Sequence, residues 1–433
     1  MWLPLLSEED TGTAGDGSID PLGMYAIADA LAIKLVPGVR ERQQRPRFLT
    51  ATAVSLYLCS FFDPDELASD GVSEPWQVFE WYLVEGLVRT APDAESISRL
   101  PGRDKAAQAV RDNVPLSAAR YLKTPNVFGF HAVYRALAKE LRIEQSGQLG
   151  ETGYELLCYW ADEQGLSGFV GTSDGEGRRW RELLLSALRD GLAQGAVARG
   201  GQWQGWQFFR RHLLPGEMGK QEAVLIRRLL AGEQAGLRSE LIRFLVSSEG
   251  QRVLHASQSE RCFHEALKAC ASPELAQVLE AILAYESFAR LLEDAFLDCL
   301  CAMTRNRAKT PVAELARCEG VVKAAEELPE LYPQIVELLS PFGEAARFQD
   351  QFSPFADRLN PVDWVVQLLR HHRRVQSGKP PNGKSPWVER FDDGSAVVRP
   401  QYRRTEGGFH DGRYVHQYRT WSLVSFARDL RML

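Results

Sequence analysis

Ser272-Pro-Glu-Leu275-Ala-Gln-Val278-Leu-Glu-Ala-Ile282-Leu-Ala-Tyr285-Glu-Ser-Phe288-Ala289-Arg-Leu-Leu292-Glu-Asp-Ala-Phe296-Leu-Asp-Cys299-Leu-Cys-Ala-Met303 is the stretch that decides the fold class. Ser272 before Pro273 reads as an N-cap followed by proline at the first helical position, where a missing N–H costs nothing. From there Leu275, Val278, Ile282, Tyr285, Ala289, Leu292, Phe296 and Cys299 return at alternating spacings of three and four, the period of one helix face. A helix over 273–303 would be roughly 45 Å long. Leu279, Phe288, Leu291 and Ala295 widen the stripe beyond a strict heptad seam, which favours burial in a globular bundle over an intermolecular coiled coil. The alternative offers Leu275, Ile282, Phe288 and Leu291 to a protein partner.

Outward from this helix the pattern stays helical. Before it, Pro21 opens an apolar run that stops at Pro37-Gly38, Phe48–Phe62 reads as a buried helix, and Ser73-Glu-Pro75 starts another. The polar stretch 143–152 places a loose boundary, followed by helices near 154–163, 180–193 and 222–230. After the long helix, helices are expected over 312–327, 331–339 and 361–376. Gly378-Lys-Pro-Pro-Asn-Gly-Lys384 then breaks the pattern. Trp387–Phe391 and Ser395–Arg399 flank Asp392-Asp-Gly394, a hairpin signal, and an amphipathic helix over 418–430 ends the chain. The expected class is mainly α: multi-helix, bundle-like domains with a small α+β C-terminal module containing a β-hairpin. The expected domains are 1–146, 147–370 with the long helix 273–303, and 371–433.

The 433 residues carry a net charge of −6, which argues against a general nucleic-acid binder. The charge is uneven, however. Residues 370–433 hold 13 Arg plus Lys against 6 Asp plus Glu, a net of +7, which leaves −13 for the residues before them. In that basic module Arg370, Arg373 and Arg374 end one helix, and Lys379, Lys384, Arg390, Arg399, Arg403 and Arg404 cover the loop and hairpin. Trp387, Phe391, Tyr402, Phe409, Tyr414, Tyr418 and Trp421 are interleaved with them. Cations neutralise phosphates and exposed aromatics stack on unpaired bases, so the module is a nucleic-acid interface candidate, with Trp387 and Tyr402 as stacking residues. The competing reading makes the aromatics a small core and the cations a dock onto the acidic body. Trp203–His212 and Arg40, Arg42, Arg45 and Arg47 could extend such a surface or form a domain interface.

Other chemistry finds little support. Asp10-Thr-Gly12 spells the aspartic-protease tripeptide, but it lacks the apolar strand and second copy that proton sharing needs. Asp16-Gly-Ser-Ile-Asp20 begins like a calcium loop, yet Pro21 stands where glycine is required. Gly171-Thr-Ser-Asp-Gly-Glu-Gly177 precedes a helix without the Gly-Lys-Ser/Thr ending, and Asp174 and Glu176 would repel phosphate. Glu286, Glu293, Asp294 and Asp298 read as a solvated face of the long helix. The odd count of seven cysteines, without a Cys-x-x-Cys, suits buried thiols in a reducing compartment. His371, His372, His410 and His416 could serve a metal or a nuclease base, but no paired carboxylate pattern accompanies them. No catalytic residue, cofactor or metal is therefore expected. The N-terminus lacks signal-peptide character and no apolar run is long enough to span a bilayer, so a cytoplasmic location without a membrane partner is expected.

Gly17-Ser-Ile-Asp-Pro21, Leu22-Gly23, Val36-Pro-Gly38 and Arg47-Phe-Leu49, with the later Leu214-Pro-Gly-Glu217 and Glu222, resemble uncharacterised helical accessory proteins of bacterial phage-defence islands. The resemblance covers about a third of the chain and carries no catalytic residue across. It implies helicase, methyltransferase or nuclease neighbours. The expected function is a non-catalytic accessory subunit that engages DNA or RNA beside other protein subunits. The alternatives are a protein-interaction scaffold without nucleic-acid contact and an unrecognised nuclease.

Overall fold

Backbone that cannot hydrogen-bond to water must pair internally, and this chain does so almost wholly with helices. The structure is a computed structural model and describes residues 20–122, 125, 129–232, 235–257, 259–306, 309–380 and 382–433. The Asp10-Thr-Gly12 tripeptide and most of 16–20, with the start of the family-like opening, lie outside the described residues. The chain divides into two compact units, Met1–Leu35 with Val253–Tyr418 and Val36–Arg252 with Arg419–Leu433. These boundaries differ from the three consecutive segments expected, because each unit is closed by a segment distant in sequence.

The first unit is organised by the helix Pro273–Asn306. Ser272 caps it as expected, its hydroxyl accepting the Leu275 N–H at 3.3 Å. All eight residues of the three-and-four pattern are at most 2 % exposed. The Tyr285 hydroxyl donates to the Met24 carbonyl at 2.6 Å. Phe288 meets Phe348 and Phe352 edge-on at 5.0 and 5.3 Å. The four residues offered as a protein interface are thus interior: Leu275, Ile282 and Phe288 have no exposure and Leu291 has 9 %. The wide stripe is filled by this unit's own helices, as a bundle requires.

The helix Glu319–Leu339 lies along the long one. Two helices were expected here, separated near Pro329. Instead Pro329 and Pro333 both sit inside a single helix. Each interior proline costs about 3 kcal/mol. Full burial of Leu328, Ile335 and Leu339 in the same helix offsets that loss.

The hairpin forms where expected, with Val388–Arg390 antiparallel to Ser395–Val398 and Arg390 opposite Ala396. Gly394 takes φ 76° in the turn, a conformation that costs glycine little. Thr310–Pro311 adds a third strand that the sequence pattern did not announce. Ala396 and Val398 are buried. The hairpin therefore belongs to the first unit's core and does not head a separate 371–433 module.

In the second unit the helix Phe48–Cys59 buries all but two of its residues, Tyr57 and Cys59. Pro75–Thr90, Phe130–Glu140, Glu151–Glu163 and Trp206–Leu213 pack on it. The loose boundary expected over 143–152 is a small hairpin, Glu144–Gln145 with Gln148–Leu149. Its turn residues Ser146 and Gly147 both have positive φ, 52° and 82°, as a tight two-residue turn demands. The C-terminal helix Thr420–Asp429 completes this unit, with Asp429 accepting from Arg45 at 2.8 Å. Among the described residues no helix is long and apolar enough to cross a membrane.

Candidate nucleic-acid interface

The helix Pro361–Ser377 carries the first three cations of the site. Asn360 caps it, its side-chain oxygen accepting the N–H groups of Val362 and Asp363, both at 3.1 Å. Trp364, Val365, Leu368, Leu369, His371, His372 and Gln376 face inward, which leaves Arg370, Arg373 and Arg374 on the solvent side. The two histidines fix this orientation. His371 Nε2–H donates to the Leu22 carbonyl at 2.7 Å. His372 Nδ1–H donates to the Pro21 carbonyl at 2.9 Å, while its Nε2 accepts the Trp387 N–H at 2.8 Å. Burial pushes both imidazoles down to about 4, so they are neutral at pH 7. They position a helix and a hairpin, and neither has a ring nitrogen left for a metal or a substrate proton.

The expected cations separate into two groups. Arg374 donates to the Gln351 carbonyl and to His371 Nδ1. Lys379 donates to the Asp20 carbonyl at 2.7 Å, Lys384 is also engaged, and Arg399 pairs with Glu389 at 3.1 Å. These four serve the fold. By contrast, no carboxylate among the described residues lies within ion-pair distance of Arg370, Arg373, Arg390, Arg403 or Arg404. Arg390 is half-buried on its strand. Burial, and then the like charges of Arg370 and Arg373, hold its guanidinium below the usual arginine range. Arg390 thus feels the charges of two arginines of the helix, while Glu389 and Asp393 of the hairpin are committed to Arg399 and Lys309.

The expected stacking residues are differently placed. Trp387 and Tyr402 lie face to face, centroids 4.5 Å apart and planes 8° from parallel. Trp387 also packs on Phe296 and His372. The Trp387 ring thus ties the start of the hairpin to the long helix through Phe296, with Tyr402 stacked on it. Tyr414 and Tyr418 are likewise engaged, in each other and in His264.

The row Glu286, Asp294 and Asp298 was expected to be solvated, and the structure corrects this. Glu286 is 2 % exposed and Asp294 3 %. They secure the irregular segment 407–418. Asp298 accepts Gly408 N–H at 2.8 Å, and Asp294 accepts Phe409 and His410 N–H at 3.0 and 3.2 Å. Glu286 accepts the His416 Nδ1–H at 2.7 Å and the Tyr418 hydroxyl at 2.8 Å, together with the Val415 N–H. A segment that joins no sheet has its amides satisfied by helix carboxylates. Arg290 pairs with Glu293 and Asp294, not with Glu286 as its i,i+4 spacing suggested.

No family model, curated protein or solved structure matches this chain. The site's meaning therefore rests on its own chemistry. Of the other candidate surfaces, Trp206 and Arg47 are taken into the second unit's interior, while Arg40, Arg42, Arg210 and Arg211 are exposed. Trp206 is buried with Trp203 edge-on at 5.0 Å. Arg47 has no exposure and stands 3.7 Å from Glu222. The loop 171–177 uses its Gly171 carbonyl to hold Arg181 at 2.7 Å, and Asp174 pairs with Arg178. Among the described residues no group of His, Cys, Asp and Glu is arranged to hold a metal ion.

Proposed function

We propose that this chain is a cytoplasmic, non-catalytic subunit that engages DNA or RNA through the phosphate backbone, with Arg370, Arg373 and Arg390 as the contact. One observation carries the reading: Arg370 and Arg373 act on Arg390 as like charges, and no carboxylate among the described residues lies within ion-pair distance of the three. Like charges gathered in this way destabilise a fold, and a bound polyanion relieves the repulsion. Because Trp387 and Tyr402 stack on each other, the contact is with phosphates rather than bases. Binding is then indifferent to sequence and strongly dependent on salt.

The test is fluorescence anisotropy with labelled single- and double-stranded DNA and RNA, over about 50 to 300 mM salt. The triple variant Arg370→Glu, Arg373→Glu, Arg390→Glu is expected to bind at least about tenfold more weakly. Its log–log salt slope on duplex should be shallower by about 2 to 3. Unchanged affinity and slope would remove the assignment. A role beside nuclease or helicase subunits in phage defence follows from the sequence resemblance. Plaque counts in cells carrying the wild type or the triple variant test it: equal protection by the two rejects a defence role for this face.

A further inference from the structure

Seven cysteines are present and all are free, but two of them meet. Cys299 is fully buried on the long helix, and Cys318 is the half-exposed N-cap of the helix Glu319–Leu339. The two helices are at backbone contact at this point. Asp298, the neighbour of Cys299, accepts the Gly320 N–H at 2.9 Å. A Cβ on Gly320 would fall 2.9 Å from the Ala295 nitrogen, so only glycine allows the approach. Within this contact Cys299 and Cys318 are neighbours across the two helices, close enough for each thiol to act on the ionisation of the other.

We propose that Cys299 and Cys318 are a redox modification site, closing to a reversible disulfide when a peroxide oxidises Cys318. The two sulfurs have different roles. Cys318 lies at the positive end of a 21-residue helix, and the neighbouring Cys299 thiol holds its own below the ordinary value. Cys299 is held well above it by the neighbouring Cys318 and by burial. Exposure also favours Cys318, since an oxidant reaches it and not Cys299. The Cys318 thiolate attacks one peroxide oxygen, the O–O bond breaks, and the departing hydroxide takes a proton to leave as water. The Cys318 sulfenic acid is then attacked by the Cys299 sulfur. The S–O bond breaks, and the released hydroxide takes the Cys299 proton and leaves as a second water. Two thiols have been oxidised by two electrons and one peroxide has been reduced to two waters.

The whole chain, reduced and then exposed to hydrogen peroxide, would be alkylated and digested without reductant for mass spectrometry. The expected product is one linked peptide pair through Cys299 and Cys318, lighter by two hydrogens and released by dithiothreitol. Exposed Cys262 and Cys270 serve as internal comparators. Cys299→Ser is expected to lose the link and leave Cys318 as a sulfenic acid that dimedone captures. The wild-type peptide map decides the matter even if that variant fails to fold. Oxidation confined to Cys262 and Cys270 overturns the proposal. So does over-oxidation of Cys318 without a link, or a link found only between two molecules on a non-reducing gel.

Discussion

Glu286 Oε1 lies 2.7 Å from His416 Nδ1 and 2.8 Å from the Tyr418 hydroxyl, so one buried carboxylate of the long helix holds both ends of a tripeptide. The Val415 and His416 amides donate to its other oxygen. Glutamine at this position keeps the shape but turns an amide group toward donors. Glu286→Gln is expected to cost about 2 to 4 kcal/mol in urea unfolding. A midpoint equal to wild type would mean that the carboxylate is replaceable.

Trp387→Ala separates a stacking residue from a structural one. Removing the ring strips Tyr402, Phe296 and His372 of a shared neighbour. Stability should fall by about 2 to 4 kcal/mol. Nucleic-acid affinity measured below the melting range should stay unchanged. A stability-neutral variant with several-fold weaker binding would reverse the assignment.

Arg390→Gln is expected to act in opposite directions on stability and affinity. Loss of the charge relieves repulsion from Arg370 and Arg373. Because solvent screens this half-exposed group, the gain should be only on the order of 0.5 kcal/mol. Calorimetry should show a small rise in Tm while anisotropy shows weaker binding. A lower Tm would mean that Arg390 holds the fold.

His371 and His372 make the first unit sensitive to acid. Both are neutral in the fold, pushed down to about 4 from an ordinary 6.5. Between those values the unfolded chain binds protons that the native one does not, so stability present above pH 6.5 is lost as pH falls toward 4. Each contributes on the order of 1.4 kcal/mol per pH unit inside that window. Glu80 in the second unit works the other way. Its buried carboxyl is pushed up to about 6, so its contribution grows as pH falls through 6 toward 4.5. Denaturation midpoints from pH 7 to 4 should flatten in His371→Asn/His372→Asn and steepen in Glu80→Gln. Parallel curves for all three proteins would reject both assignments.

Much of this architecture was legible in the sequence. Ser272-Pro273 and the three-and-four spacing announce the long helix, and Asp392-Asp-Gly394 announces the hairpin, because caps, periods and turns are local signals. Pro329 misled for the same reason: a local breaker was outweighed by burial that only the partner helix supplies. The carboxylates of Glu286, Asp294 and Asp298 look solvated in sequence, since most of their partners lie more than a hundred residues away, in the segment 408–418. Arg370 and Arg373 could be read as a basic helix face. That Arg390 joins them while Arg374, Lys379 and Arg399 do not depends on tertiary partners, which charge counting does not register.

The interleaved course of the chain has a consequence for its biosynthesis. Residues 36–252 reach the ribosome exit well before Thr420–Asp429, the helix that completes their unit, and the whole of 253–418 is made in between. Chains grow N-terminus first. Until that last helix emerges, the surface it covers in the second unit stays bare, a window in which a chaperone would find its substrate.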